Sequence, residues 1–250
     1  GIENVYQDVN DNGKDVEDTF GVLMPQEMYA IFETYGINMI EKNEDNTELI
    51  LNAGNERVYD LVDKYYNIRY ELDGGYTDVR NTTAEMFKAG QGVYLTISLS
   101  YAVSHFRDAT FAYGIVPYPM LDEQQGDYYA GYTDRFMIIP HTCPDVDYVA
   151  TIVEALSAEG YRQVLPAYYE TALKGRYTHD SESVQMLEII REGRIIDFAY
   201  IYSNDTACTR ALYALLKDKK HDYASFYASK ETPANTRIEE LTAAFEKMAD

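Results

Sequence analysis

At 250 residues the chain has room for one large or two modest domains with a genuine core. An apolar fraction of 46% with 25% charged residues excludes a disordered chain, and a net charge of −21 argues against nucleic acid and anionic lipid as partners. No stretch of 18 apolar residues occurs, so nothing reads as a membrane-spanning helix.

Tyrosine is the compositional anomaly, with 25 residues against no tryptophan. A tyrosine ring offers a flat apolar face and a hydroxyl, which suits sugars, peptides and interfaces as well as half-buried core positions. Cys143 and Cys208 carry no signature spacing and fit buried thiols better than a bridge. Gly1 reads as a tag remnant ahead of polar sequence, so the chain is expected to start in mid-protein.

Residues 5–21 are polar and acid-rich. Asp8, Asn10, Asn12 and Gly13 match the first half of a calcium loop, which makes Asp8, Asn10 and Asn12 candidate ligands of a structural calcium. The twelfth position is Thr19 where a bidentate Glu belongs, leaving Asp15 and Asp18 as substitutes in a shortened loop; a solvated turn is the plain alternative.

A helix is expected from Pro25 to Tyr35, with Met28, Ile31, Phe32 and Tyr35 on one face and Gly36 as its stop. Residues 37–52 read as a hairpin, 55–66 as an amphipathic helix with Val58, Leu61, Val62 and Tyr65 inward, and Asp73–Gly75 as a loop. Thr83–Ala89 is helical, and the pattern breaks at Gly90 and Gly92. Val93, Leu95, Ile97 and Leu99 then alternate with polar residues as a strand does, opening into the loop Ser100-Tyr101-Ala102. Sheets of α/β proteins place ligands beyond the carboxyl ends of such strands.

A second strand is expected to stop at Tyr118-Pro119, and a short one to cover Phe136–Ile139. Helices follow at 142–160, 161–174, 181–192, 206–217 and 221–228, and a last one runs from Pro233 to Met248 with Thr232 as its cap. Few strands and many helices make a helix-rich α/β protein.

The sequence has no phosphate loop, no dinucleotide fingerprint, no nucleophile elbow and no zinc helix. His105, His141, His179 and His221 lack ligand spacing. Aromatic residues beside polar ones are the positive feature, at Tyr29, Ser100-Tyr101, Tyr128–Arg135, Tyr168-Tyr169 and Tyr202-Ser203-Asn204.

Several segments together resemble a known family: FGVLMP, YGINMIEKNED, ERVYDLVDKYY, MFKAGQGVYLTISLSYA, FAYGIVPYPMLDEQQGDYYAGY and, most distinctive, SAEGYRQVLPAYYETALKGRYTHDSESVQMLEII. The order and spacing of these segments are similar to the later part of extracellular solute-binding proteins of family 1, the receptors of carbohydrate-type ABC importers. The resemblance covers nearly the whole chain.

It implies a type 2 periplasmic-binding-protein-like fold, two α/β lobes closing on a ligand, with most of the first lobe absent. Residues 1–119 and 178–250 would belong to the second lobe, and 120–177 to the segment returning to the first. It further implies a cell-surface lipoprotein outside the membrane, its signal peptide and lipid anchor lying outside this chain. Its partners would be a carbohydrate ligand and permease subunits, with no catalysis. Tyr29, Tyr101 and Tyr132 would stack on the ligand, while Ser100, Arg135 and Asn204 would hydrogen-bond it. A carbohydrate hydrolase, or a ligand-sensing surface protein of the same fold, is the alternative.

Overall fold

A computed structural model describes residues 1–28, 30–45, 48–132, 137–169, 181–202 and 208–249 as a mixed α/β chain with about 51% helix. By its internal contacts the chain divides into two compact units. The first comprises Gly1–Ile97, Tyr118–Thr133 and Ile190–Asp250, the second Ser98–Pro117 and Asp134–Ile189.

The first unit is built on one strand that periodicity did not announce. β1 (Tyr6–Gln7) pairs antiparallel with the start of β2 (Thr19–Pro25), and β2 is buried from Phe20 to its end. Phe20 and Leu23 enter a small cluster with Met86, while Val22 and Met24 enter the main core. A strand covered on both faces is apolar throughout, so the two-residue alternation disappears. Pro25, expected to begin a helix, closes this strand opposite Asp78. The helix expected from Pro25 to Tyr35 is therefore a single turn, α1 (Ile31–Thr34), entered at Ala30 with φ 51° and stopped at Gly36 with φ +65°. Its apolar face is as expected, since Met28, Ile31, Phe32 and Tyr35 are all buried.

The hairpin forms as expected, from β3 (Ile40–Lys42) and β4 (Leu49–Leu51). So does α2 (Glu56–Tyr66), whose N-cap Asn55 accepts a hydrogen bond from the Arg57 amide. A π-helical turn at Asn67–Glu71 follows, then the expected loop at Asp73-Gly74, and then β5 (Gly75–Asp78), a strand that was not expected and that takes in Gly75. Only glycine fits at its start, because a Cβ on Gly75 would lie 1.7 Å from the Ile68 carbonyl oxygen. α3 (Arg80–Lys88) leads through Gly90, at φ +80°, to β6 (Gly92–Leu95), shorter than the run of alternating residues implied. β5 and β6 flank β2 and both run parallel to it.

The second unit contains α4 (Ser100–Ser104), α5 (Val146–Glu159) and the start of α6 (Ser181–Glu192). Ala102, Tyr169 and Leu187 form its buried cluster, with Leu99, Val103, Tyr113, Ile115, Leu165 and Tyr168 packed around them. The strand expected to stop at Tyr118-Pro119 is absent: residues 112–120 are irregular. Phe111, Tyr113 and Ile115 are half-buried and their neighbours exposed, so the alternation records an extended segment packed by its side chains without a ladder. Residues 137–139 form no strand either, and Met137 and Ile138 are exposed.

In the remainder of the first unit, β7 (Ala130–Gly131) and β8 (Arg194–Ile195) pair in parallel. α7 (Phe198–Ile201) is capped by Asp197, and α8 (Ala211–Lys217) is buried along Ala211, Leu212, Leu215 and Leu216. The two helices expected at 221–228 and from Pro233 are one, α9 (Tyr223–Ala249), with Pro233 in its interior. Proline deprives the Ser229 carbonyl of its helical partner, but Ala234, Ile238 and Leu241 are buried beyond it and carry the helix across.

Candidate functional site

Three parallel strands end at one edge of the sheet in the first unit, and the side chains collected there make the candidate site. β2 ends at Pro25, β5 at Asp78 and β6 at Leu95. The backbone is tied across this edge: the Gln26 amide donates to the Asp78 carbonyl at 2.8 Å, and the Thr96 amide to the Leu23 carbonyl at 3.1 Å. Arg80, first residue of α3, holds the segment after β2. Its amide donates to the Glu27 carboxylate at 2.9 Å and its guanidinium to the Glu27 carbonyl at 2.8 Å.

Beneath this edge lies Arg69, 3% exposed, from the π-helical turn. Its guanidinium donates to the Pro25 carbonyl and to the Met28 thioether, and Nε is buried with no acceptor. Burial pushes its pKa down, while Tyr70 and Tyr65 beside it favour the charged form. Tyrosines surround it. The Tyr35 and Tyr65 hydroxyls share a 2.7 Å hydrogen bond, and Tyr118 meets Tyr35 edge-on at 6.3 Å. Burial raises the pKa of Tyr118; a hydrogen bond with Thr96 and the charges of Arg69 and Arg80 oppose it. In a chain of net charge −21 this edge thus gathers two guanidinium groups and a ring of phenols.

The residues expected to bind ligand are Tyr29, Ser100, Tyr101, Tyr132, Arg135 and Asn204. Tyr29, Arg135 and Asn204 lie outside the described residues. Ser100 and Tyr101 open α4 in the second unit. Ser100 is exposed, its carbonyl accepting from the Ser104 hydroxyl, and Tyr101 stacks on His105 with ring centroids 4.1 Å apart and planes 13° from parallel. Tyr132 continues β7 in the first unit, 37% exposed, with the Arg194 guanidinium 5.3 Å from its ring centre.

The acidic loop is closed by its own hydrogen bonds. Asp8 accepts from the amides of Gly13 and Asn10, which with Gly13 foremost hold its pKa down. The Asn10 and Asn12 amides both donate to Asp15, and Asp18, fully buried, accepts from the amides of Val9 and Asp15. Among the described residues no group of three His, Cys, Asp or Glu side chains is placed to hold a metal ion. Cys143 and Cys208 are free thiols, and burial raises Cys208 to about 11.

Arg69, Thr77, Arg80 and Tyr118 escaped notice in the sequence because their common place is the end of β2, which was taken for a helix start. The signal that locates them is the unbroken apolar run Phe20–Met24 ahead of Pro25, a buried parallel strand with a proline where its ladder ends. No protein-family model, curated protein or solved structure matches the chain.

Proposed function

We propose that the chain is the solute-binding component of an ABC importer, with a type 2 periplasmic-binding-protein-like fold that captures a carbohydrate at the carboxyl edge of its parallel sheet. One observation carries this: β2, β5 and β6 run parallel and end together beside Tyr118 and hydrogen-bonding side chains. Parallel sheets bind ligands at that edge, and phenol rings offer C–H faces of sugars the stacking that tryptophan would otherwise supply. The residue order that resembles family 1 solute-binding proteins supports the same reading. In that role the protein sits outside the membrane on a lipid anchor and hands its ligand to permease subunits. It catalyses nothing, and any calcium held by Asp8, Asn10 and Asn12 is structural.

Isothermal titration against monosaccharides and oligosaccharides, with amino acids and peptides as controls, tests this. Saturable binding of a sugar that is recovered unhydrolysed is the expected outcome. Binding confined to amino acids or peptides, or release of cleaved sugar, overturns it.

A further inference from the structure

The buried guanidinium of Arg69 has acceptors that do not match its charge. A guanidinium keeps its proton at all ordinary pH values, so burial cannot neutralise it, and an uncompensated charge in the interior is costly. Its natural partner is a carboxylate or phosphate, taken in a two-pronged fork. Yet among the described residues no carboxylate bonds to or pairs with Arg69, in a chain with 42 acids against 21 basic residues. A backbone carbonyl and a thioether, the latter a weak acceptor, occupy one nitrogen, the neighbouring Tyr70 hydroxyl is the other acceptor beside the guanidinium, and Nε has nothing.

A second orphan lies close by. Thr77 Oγ1, in β5, is buried without a hydrogen-bond partner. Successive side chains of a strand point to opposite faces. Tyr76 stacks on Phe20 on one face, while a Cβ at Gly75 would meet the Ile68 carbonyl and the Arg69 Cα on the other. Thr77 shares the face of Gly75, so its hydroxyl is on the side of the sheet where Arg69 lies. Thr77 thus lies one residue from the carboxyl end of β5, and Arg69 donates to Pro25, the last residue of β2, where Arg80 and Tyr118 add a second cation and a hydroxyl. Met28 sits against the guanidinium with a flexible side chain that can swing away without breaking a strong bond.

We infer that the carboxyl edge of β2 and β5 is a carboxylate-binding site, in which a ligand carboxylate replaces the Met28 sulfur on Arg69 and accepts from Nε, with Thr77 donating its hydroxyl proton to the same group. That the ligand carrying this carboxylate is an acidic sugar rests on the carbohydrate reading above. The carboxylate site itself rests on Arg69 and Thr77 alone. The net negative charge of the chain does not forbid such a ligand, because salt screens distant charges while the adjacent guanidinium groups act at contact.

The test is a titration of the chain with D-galacturonate and D-glucuronate, D-galactose and D-glucose, and succinate, by calorimetry and by thermal shift. Uronates are expected to bind at least tenfold more tightly than the neutral sugars, and added salt to weaken them. Arg69→Met should remove that preference and, by deleting an unpaired buried charge, raise the melting temperature of the free protein. If Arg69→Met does not fold, Thr77→Val serves instead and should weaken uronate binding severalfold while leaving the free protein as stable as before. Neutral sugars bound as well as uronates, or a preference untouched by these variants, would overturn the carboxylate site and leave the carbohydrate reading standing. Succinate bound through Arg69 with no sugar bound would support the site and overturn the carbohydrate reading. No binding of any of the five overturns both.

Discussion

α2 and α5 carry the same sequence signal and meet opposite fates. In α2, Val58, Leu61 and Val62 are fully buried and Tyr65 is 3% exposed. In α5, the apolar residues at helical spacing include Tyr148 at 65% exposure, Ile152 at 43% and Leu156 at 62%, and no residue of the helix is buried. Both helices begin with a side-chain cap, Asn55 accepting from the Arg57 amide and Asp145 from the Tyr148 amide. Local chemistry therefore sets where each helix starts and which way its apolar face points. It does not say what covers that face. α2 is covered because β2, the hairpin and α9 close a core over it; α5 belongs to a unit whose buried cluster is drawn from other segments.

The largest effect should follow from opening the covered face. Leu61→Ala is expected to cost about 2–5 kcal/mol, because the site is enclosed on every side and cannot collapse around the cavity. Urea unfolding followed by tyrosine fluorescence measures it. A loss under about 1 kcal/mol would mean that the face of α2 is no better covered than that of α5.

The same core holds an acid that should make its stability depend on pH. Glu33 is 2% exposed, and burial, aided by the charge of Asp197, raises it from 4.5 to about 7. Below about pH 4.5 the carboxyl is protonated folded or unfolded, so it has no effect on the balance. As pH rises towards about 7 the unfolded chain gives up the proton while the folded chain keeps it, and stability falls. Glu33→Gln should therefore leave stability unchanged at acid pH and raise it by about 3 kcal/mol at pH 8. Asp197 is raised by burial as well, though the amides of Met39 and Ala199 bind its charged form and oppose the shift. Parallel pH profiles of wild type and variant, without convergence at low pH, would show that Glu33 is not the group responsible.

The caps sharpen the contrast, since their local cost is the same and its reach differs. Asn55→Ala and Asp145→Ala should each cost about 1 kcal/mol of helix stability. The first should move the global unfolding midpoint, because α2 is part of the core. The second should appear as faster amide exchange within α5 alone. Equal shifts of the global midpoint would show that both helices belong to one cooperative unit.

Much of this was legible because local rules and tertiary context agreed. The hairpin, α2 with its Asn55 cap, the start of α5 at Asp145 and the stop at Gly36 all follow from turn residues, caps and periodicity. The failures share one cause, which is that the signal depends on neighbours the sequence does not name. β2 loses its alternation because the Val22 and Leu23 sides are both covered. Pro25 and Pro233 are ambiguous between starting a helix, ending a strand and being carried inside a helix, and only packing decides. The alternation from Phe111 to Ile115 is real, but a ladder needs a partner strand. The candidate site suffered most, because Arg69 and Thr77 come to one side of the sheet only through the parallel pairing of β2 with β5.

The smallest effect is expected on the open face, and it is the most informative. Leu156→Ala removes a side chain that is 62% exposed, so little apolar area returns to water and no cavity forms. Alanine also favours the helix slightly over leucine, so the two contributions oppose each other. The change in stability should stay within about 0.5 kcal/mol, as for ordinary surface positions. A loss of more than 1 kcal/mol would require α5 to be covered in solution; sedimentation of the wild-type chain across concentrations would then show whether a second copy covers it.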